Sequence, residues 1–101
     1  MSEKTFIVKL TVAEGKRDEA LAAMRNLVEA TESEPGTLQY VLHADTTDPD
    51  VVWFYEHYTD DGALQEHMTS SAMAEAIGSF GGLLAGAPDM REVEVVARKG
   101  G

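Results

Sequence analysis

The sequence predicts an α+β fold. One four-stranded antiparallel sheet carries helices on a single face, in the β-α-β-β-α-β order of a ferredoxin-like split βαβ unit whose second helix is broken in two. Three observations predict it. Residues 5–13, 37–44, 51–58 and 90–98 alternate with period two and are rich in β-branched or aromatic side chains, which reads as four strands. Residues 16–33 and 60–84 instead carry apolar side chains at helical spacing. The link at 45–50, Asp-Thr-Thr-Asp-Pro-Asp, is a turn-rich hairpin connection.

The first strand puts Phe6, Val8, Leu10 and Val12 on one face and Thr5, Ile7, Lys9 and Thr11 on the other; Glu14-Gly15 ends it. The following helix, about 16–33, aligns Ala20, Met24, Leu27, Val28 and Thr31, and Asp18 and Glu19 suit the positive end of its dipole. Glu34-Pro35-Gly36 stops it. In the second strand Leu38, Tyr40 and Leu42 share a face. The third strand divides into Val52, Phe54, Glu56 and Tyr58 against Trp53, Tyr55 and His57. A short helix over about 60–68 carries Leu64 and His67, and a second over about 71–84 aligns Met73, Ile77, Phe80 and Leu84, weakened near its end by Gly81-Gly82. In the last strand Val93, Val95 and Ala97 alternate with Glu92, Glu94 and Val96.

The 101 residues fit one domain, 1–101, too small to bury more than about two-thirds of its unfolded surface. Its Phe6–Val12 and Val52–Tyr58 faces match and belong under the helices. The opposite sheet face, with Ile7, Val41, Trp53 and Tyr55, is too apolar to stay wet, so a homodimer packed sheet to sheet is expected, with Trp53 and His57 in the interface and His43 in solvent. A net charge of −10, from 18 acidic and 8 basic residues, argues against nucleic acid and anionic membrane as partners. No apolar run approaches the roughly 20 residues of a membrane span, and no apolar leader follows the first residues, so a cytoplasmic protein is expected. With no cysteine, thiolate catalysis and cysteine metal sites are excluded. No paired-histidine metal motif, nucleophile elbow or phosphate loop occurs, and no metal site is expected.

Several stretches together carry a resemblance: Lys9-Leu10-Thr11-Val12 with Glu14-Gly15-Lys16, Glu34-Pro35-Gly36-Thr37-Leu38-Gln39-Tyr40, Phe54-Tyr55-Glu56-His57-Tyr58, and Ala63-Leu64-Gln65-Glu66-His67. In this order and spacing the chain, from about 4 to 98, resembles the antibiotic biosynthesis monooxygenase family, and within it the quinol-oxidising members. The resemblance implies ferredoxin-like dimers whose sheets form a shared α/β barrel, with a pocket between helices and sheet in each subunit. It implies a monooxygenase that oxidises a small phenolic or quinol substrate with O2 and uses no cofactor, neither metal nor flavin. Haem-degrading members carry an asparagine on the first strand, a tryptophan ending the third and a histidine ligand on the second half of the split helix. Those positions here are Val8, Tyr58 and Ile77, so haem degradation is not expected.

Such chemistry needs the phenol deprotonated, the oxygen adduct kept dry and a proton returned, and positioned acid–base groups contribute about 10²–10⁴-fold. His67, one turn after Leu64, is the first candidate for that role; its bland reading is a structural histidine bonded to backbone. Glu56 is an inward carboxylate, set either to orient His67 or to hold a raised pKa, and otherwise in a structural hydrogen bond or an ion pair with Arg91 or Lys16. Tyr58 is a donor to a developing oxyanion, or else a strand-end ring with its hydroxyl in solvent. Val8, Leu10, Phe54, Met68, Met73, Ile77 and Phe80 aim at one space, as core or as the substrate-binding wall, with the methionines supplying an adaptable surface. Two other functions suit the same residues: an isomerase or tautomerase acting on a small carbonyl compound without O2, and a dimer that binds a small molecule without turnover.

Overall fold

The computed structural model describes residues 3–100. Its elements run β1 (Lys4–Thr11), α1 (Arg17–Ala30), a single 3-10 turn (Thr31–Ser33), β2 (Thr37–Ala44), β3 (Val51–Tyr58), α2 (Asp61–Met68), α3 (Ser71–Phe80) and β4 (Asp89–Val93). The sheet order is β2-β3-β1-β4, every pairing antiparallel, which is the ferredoxin-like arrangement.

The register brings the two apolar strand faces together. Val8 lies opposite Phe54, Phe6 opposite Glu56 and Leu10 opposite Val52, while on the other side of β3 Tyr40 lies opposite Glu56 and Leu42 opposite Phe54. The inward side chains of β1 and β3 are buried against Ala20, Met24 and Leu27 of α1, Leu64 of α2 and Ala76 of α3. Each large apolar side chain so buried contributes about 1.5–3 kcal/mol relative to exposure.

The helices begin where the sequence supplies caps. Asp60 accepts from the Ala63 amide at 2.8 Å and opens α2. Ser70 accepts from the Met73 amide at 3.1 Å and opens α3. The helical run therefore breaks at Thr69-Ser70 because a new cap starts there. Two glycines answer a specific need. Gly15 turns the chain out of β1 with φ 78°, a conformation other residues avoid. Gly36 lies so close to α2 that a β-carbon there would collide with Cβ of Ala63, and its carbonyl accepts from the Thr59 amide at 2.9 Å.

Three details depart from the sequence reading. The second half of the split helix ends at Phe80, not near 84: Leu83 and Leu84 leave it, and the Leu83 carbonyl accepts from the Ala13 amide at 2.8 Å. The last strand stops at Val93, not 98, because Val93 already pairs with Thr5 and β1 begins one residue earlier, at Lys4. Leu38 does not join Tyr40 and Leu42 on the inner face; an irregularity between Thr37 and Gln39 turns it out, 46% exposed. On the face away from the helices Ile7 and Val41 are exposed and Trp53 and Tyr55 half-buried. His57 is buried there within its own chain, its Nε2 2.6 Å from Glu3 Oε1, and His43 is exposed. No helix among the described residues is long and apolar enough to cross a membrane.

Candidate active site

Between the inner sheet face and the helices lies a cavity of about 170 Å³. Val8 and Leu10 of β1 and Phe54 of β3 form its floor; Met73, Ile77 and Phe80 of α3 and Met68 at the end of α2 form a wall. The seven apolar positions singled out in the sequence thus line one space. Leu27, Tyr40, Pro88 and Met90 complete the lining, and the one carboxyl group in it belongs to Glu56. Met68, Ile77 and Met90 are both lining and exposed, Ile77 by 61%, which marks the cavity's mouth at the α3 and β4 side.

Glu56 reaches this space because β3 alternates: its carboxyl follows Val52 and Phe54 onto the inner face. It is 5% exposed. Its partner is neither Arg91, which pairs with Asp89, nor Lys16, which pairs with Glu19. The hydroxyl of Tyr58 donates to Glu56 Oε1 at 2.6 Å. Burial pushes the Glu56 carboxyl above the ordinary carboxylate range, and the Tyr58 hydrogen bond and the His67 charge offset part of that rise. The Tyr58 hydroxyl is not in solvent: the side chain is fully buried beneath α2. Burial first, and the Glu56 charge second, push both the Tyr58 and Tyr40 phenols far above their ordinary value, so both stay neutral.

His67 occupies a different place from the one expected of it. It is buried, at 1% exposure, but does not line the cavity. Its ring sits between those of Tyr40 and Tyr58, at centroid distances of 4.8 and 5.5 Å. Tyr40, itself stacked 4.9 Å from Phe54, stands between His67 and the cavity. The group that orients His67 is not Glu56 but Glu34, whose Oε1 accepts from Nδ1 at 2.8 Å and also from the Thr37 hydroxyl at 2.8 Å. When the ring is neutral, a carboxylate at Nδ1 sets its tautomer, with Nε2 as the bare nitrogen. That Nε2 is buried with no hydrogen-bond partner.

Sequence reasoning missed Glu34 and Tyr40. Glu34 stands in the Glu-Pro-Gly stop signal, which reads as a helix terminator. The available signal was its offset of three from Thr37, whose hydroxyl it accepts. Tyr40 was placed on the inner face but not in the site; its alternation with Leu42 and its pairing opposite Glu56 put it there. Among the described residues no three histidine, aspartate or glutamate side chains gather as metal ligands would.

Fold and site together define a ferredoxin-like α+β protein with an apolar cavity under its helices and one buried carboxyl in its lining. The family model for antibiotic biosynthesis monooxygenases matches residues 5–79. This chain belongs to that family. Solved structures agree. A Pseudomonas aeruginosa protein is 27% identical with a TM-score of 0.89, over 96% of this chain and 97% of its own. A Caulobacter crescentus protein, provisionally called an antibiotic biosynthesis monooxygenase, is 26% identical with a TM-score of 0.88, over 94% of this chain and 91% of its own. A Chloroflexus aurantiacus protein with the same provisional name is 27% identical with a TM-score of 0.82, over 98% of both chains. A search of curated proteins gave no match.

Proposed function

We propose that this protein oxidises a small, uncharged phenol or quinol with O2, using Glu56 as base and needing neither metal nor flavin. The observation that carries the reading is a buried carboxyl, raised by its apolar surroundings and bonded to a neutral phenol, in the floor of a cavity of about 170 Å³. A carboxylate so desolvated is a stronger base than one in water. It takes the substrate's hydroxyl proton, and the phenolate formed is electron-rich enough to reduce O2. Coupling at the ring and loss of water convert a hydroquinone and O2 into a hydroxyquinone and water, and the acid form of Glu56 returns its proton to the departing oxygen. The apolar wall of Met68, Met73, Ile77 and Phe80, with the floor of Val8, Leu10 and Phe54, would hold the ring and keep water from the oxygen adduct. Tyr58 holds Glu56 in place and tunes it. No lysine or arginine lines the cavity, which favours neutral over anionic substrates.

We also propose that the bare sheet face, with Ile7, Val41, Trp53 and Tyr55, pairs with a second copy. Light scattering at micromolar concentration tests that part; a monomer alone refutes it.

The activity test is oxygen uptake over a panel of hydroquinones, naphthohydroquinones and anthrones, with chelator present, for wild type and Glu56→Gln. Uptake above autoxidation that withstands chelator and falls about 100-fold or more in the variant supports the reading. The same carboxyl suits enolisation of a carbonyl compound, so an anaerobic arm is run alongside. Turnover without oxygen would replace the monooxygenase with an isomerase, and absence of both would leave a binding protein.

A further inference from the structure

His67 is held at one ring nitrogen only. Glu34 fixes Nδ1 at 2.8 Å, and Nε2 is sealed from solvent without a protein partner. An unpaired buried nitrogen costs about 1–3 kcal/mol, so mere filling of this space would favour an apolar side chain. The ring lies 5.5 Å from that of Tyr58, whose hydroxyl is on Glu56. At the other end the Glu34 side chain is 17% exposed, and it lines an outer hollow of about 300 Å³ together with Thr59, Asp60 and Glu66. The series Glu56, Tyr58, His67, Glu34 therefore leads from the cavity floor to the surface by a way that avoids the cavity mouth.

We infer that His67 and Glu34 form a proton route between Glu56 and solvent behind the cavity. This deepens the reading of Glu56 as base and rests on it. When Glu56 has taken a proton, the Tyr58 hydroxyl turns from Glu56 toward His67, Glu56 becomes the donor of their hydrogen bond, and the proton passes along it to the Tyr58 oxygen. Tyr58 releases its own hydroxyl proton, through one bridging water, to Nε2 of His67. His67 gives its Nδ1 proton to Glu34, and Glu34 gives one to solvent. One proton enters, one leaves, and no electrons move. The reverse transfer restores both the proton and the starting tautomer. The titratable groups packed around this route are Tyr40 from β2, Glu56 and Tyr58 from β3, His67 from α2 and Glu34 from the turn before β2. The elements α1, α3 and β4 present Leu27, Met73 and Met90 to the cavity instead. A route separate from the mouth lets the proton move while substrate fills the mouth, and keeps bulk water from the oxygen adduct.

The test is an NMR titration of the full chain, reading imidazole nitrogens and carboxyl carbons, for wild type, Glu34→Gln and His67→Gln. Glutamine at 34 keeps length and an acceptor oxygen but cannot take a proton. The expected results are a wild-type His67 protonated at Nδ1, a higher Glu56 midpoint in His67→Gln, and exchange of the His67 ring proton with water slowed about tenfold in Glu34→Gln. A wild-type ring protonated at Nε2 overturns the route, and so does ring-proton exchange indifferent to Glu34→Gln. Should His67→Gln fail to fold, the exchange rate in Glu34→Gln decides alone. None of these readouts needs a substrate, so a wild type that consumes no oxygen refutes the proposed activity while the route is judged by NMR. With a substrate in hand, Glu34→Gln lowers kcat with KM unchanged, and small buffers such as imidazole restore it; a purely structural role would not be rescued.

Discussion

Tyr58 and Glu56, two residues apart on β3 and so on the same side of the strand, share a 2.6 Å hydrogen bond in which the phenol donates and the carboxyl accepts. Each is buried, and each pushes the other: the bond lowers the carboxyl's proton affinity while the carboxyl's charge raises the phenol's. Tyr58→Phe removes the donor and leaves the space filled. It is expected to cost about 1–3 kcal/mol in urea denaturation and to move the Glu56 midpoint further up, read from its carboxyl carbon.

Glu56 itself makes stability depend on pH. Its folded-state pKa is raised above 4.5, the ordinary value, so the folded chain binds the proton more tightly than the unfolded chain. Its contribution is fully present below 4.5 and is lost as pH rises through the folded-state midpoint. Each unit of rise corresponds to about 1.4 kcal/mol. Glu56→Gln is expected to flatten the stability profile above pH 4.5 and to be more stable than wild type at neutral pH. Thermal melts from pH 4 to 8 check this; a profile parallel to wild type would refute it.

Glu34 holds the only hydrogen bond made by the His67 side chain among the described residues. Glu34→Ala leaves both ring nitrogens unpaired in a buried site. The expected loss is about 1–3 kcal/mol in chemical denaturation, well above the few tenths typical of a surface glutamate.

Gly36 and Ala63 lie in close contact at the seam between the turn and α2. Gly36→Ala introduces a methyl group into that contact and is expected to destabilise by about 1–3 kcal/mol. Adding Ala63→Gly removes the opposing methyl, so the double variant recovers most of the loss beyond the helix cost of the new glycine, about 1 kcal/mol. Additive losses across the cycle would show that the contact is not the cause.

Ile77 belongs to the cavity wall yet is 61% exposed. Ile77→Trp should change stability by no more than about 0.5 kcal/mol, since little is packed around it. It should weaken binding of naphthohydroquinone about tenfold or more, measured anaerobically by calorimetry, because the indole occupies the mouth.

The strand pattern was legible because period-two alternation survives wherever one face is buried, and the sheet's inner face emerged from it except at Leu38, which the irregularity in β2 turns outward. Where the sequence misled, a local rule met a tertiary limit. Alternation continues through Val95 and Ala97, but β1 has no residues left to pair with them. Helical spacing continues to Leu84, but Leu83 is claimed by the Ala13 amide. The cavity wall was legible as a set, since all seven positions point under the helices. The hydrogen bonds within the site were not, because they join separate elements: Glu34 is 33 residues from His67, a relation no periodicity encodes. His67 was read correctly as inward, but inward from α2 means the space behind Tyr40 rather than the cavity.

The wall and the carboxyl stand on different parts of the fold. Glu56 sits on β3, hydrogen-bonded to strands on both sides, whereas the mouth is built by α3 and by β4, which is flanked on one side only. The residues that would choose a substrate can thus be exchanged with little effect on the residue that would act on it. An altered mouth need not be repaid by rebuilding the floor.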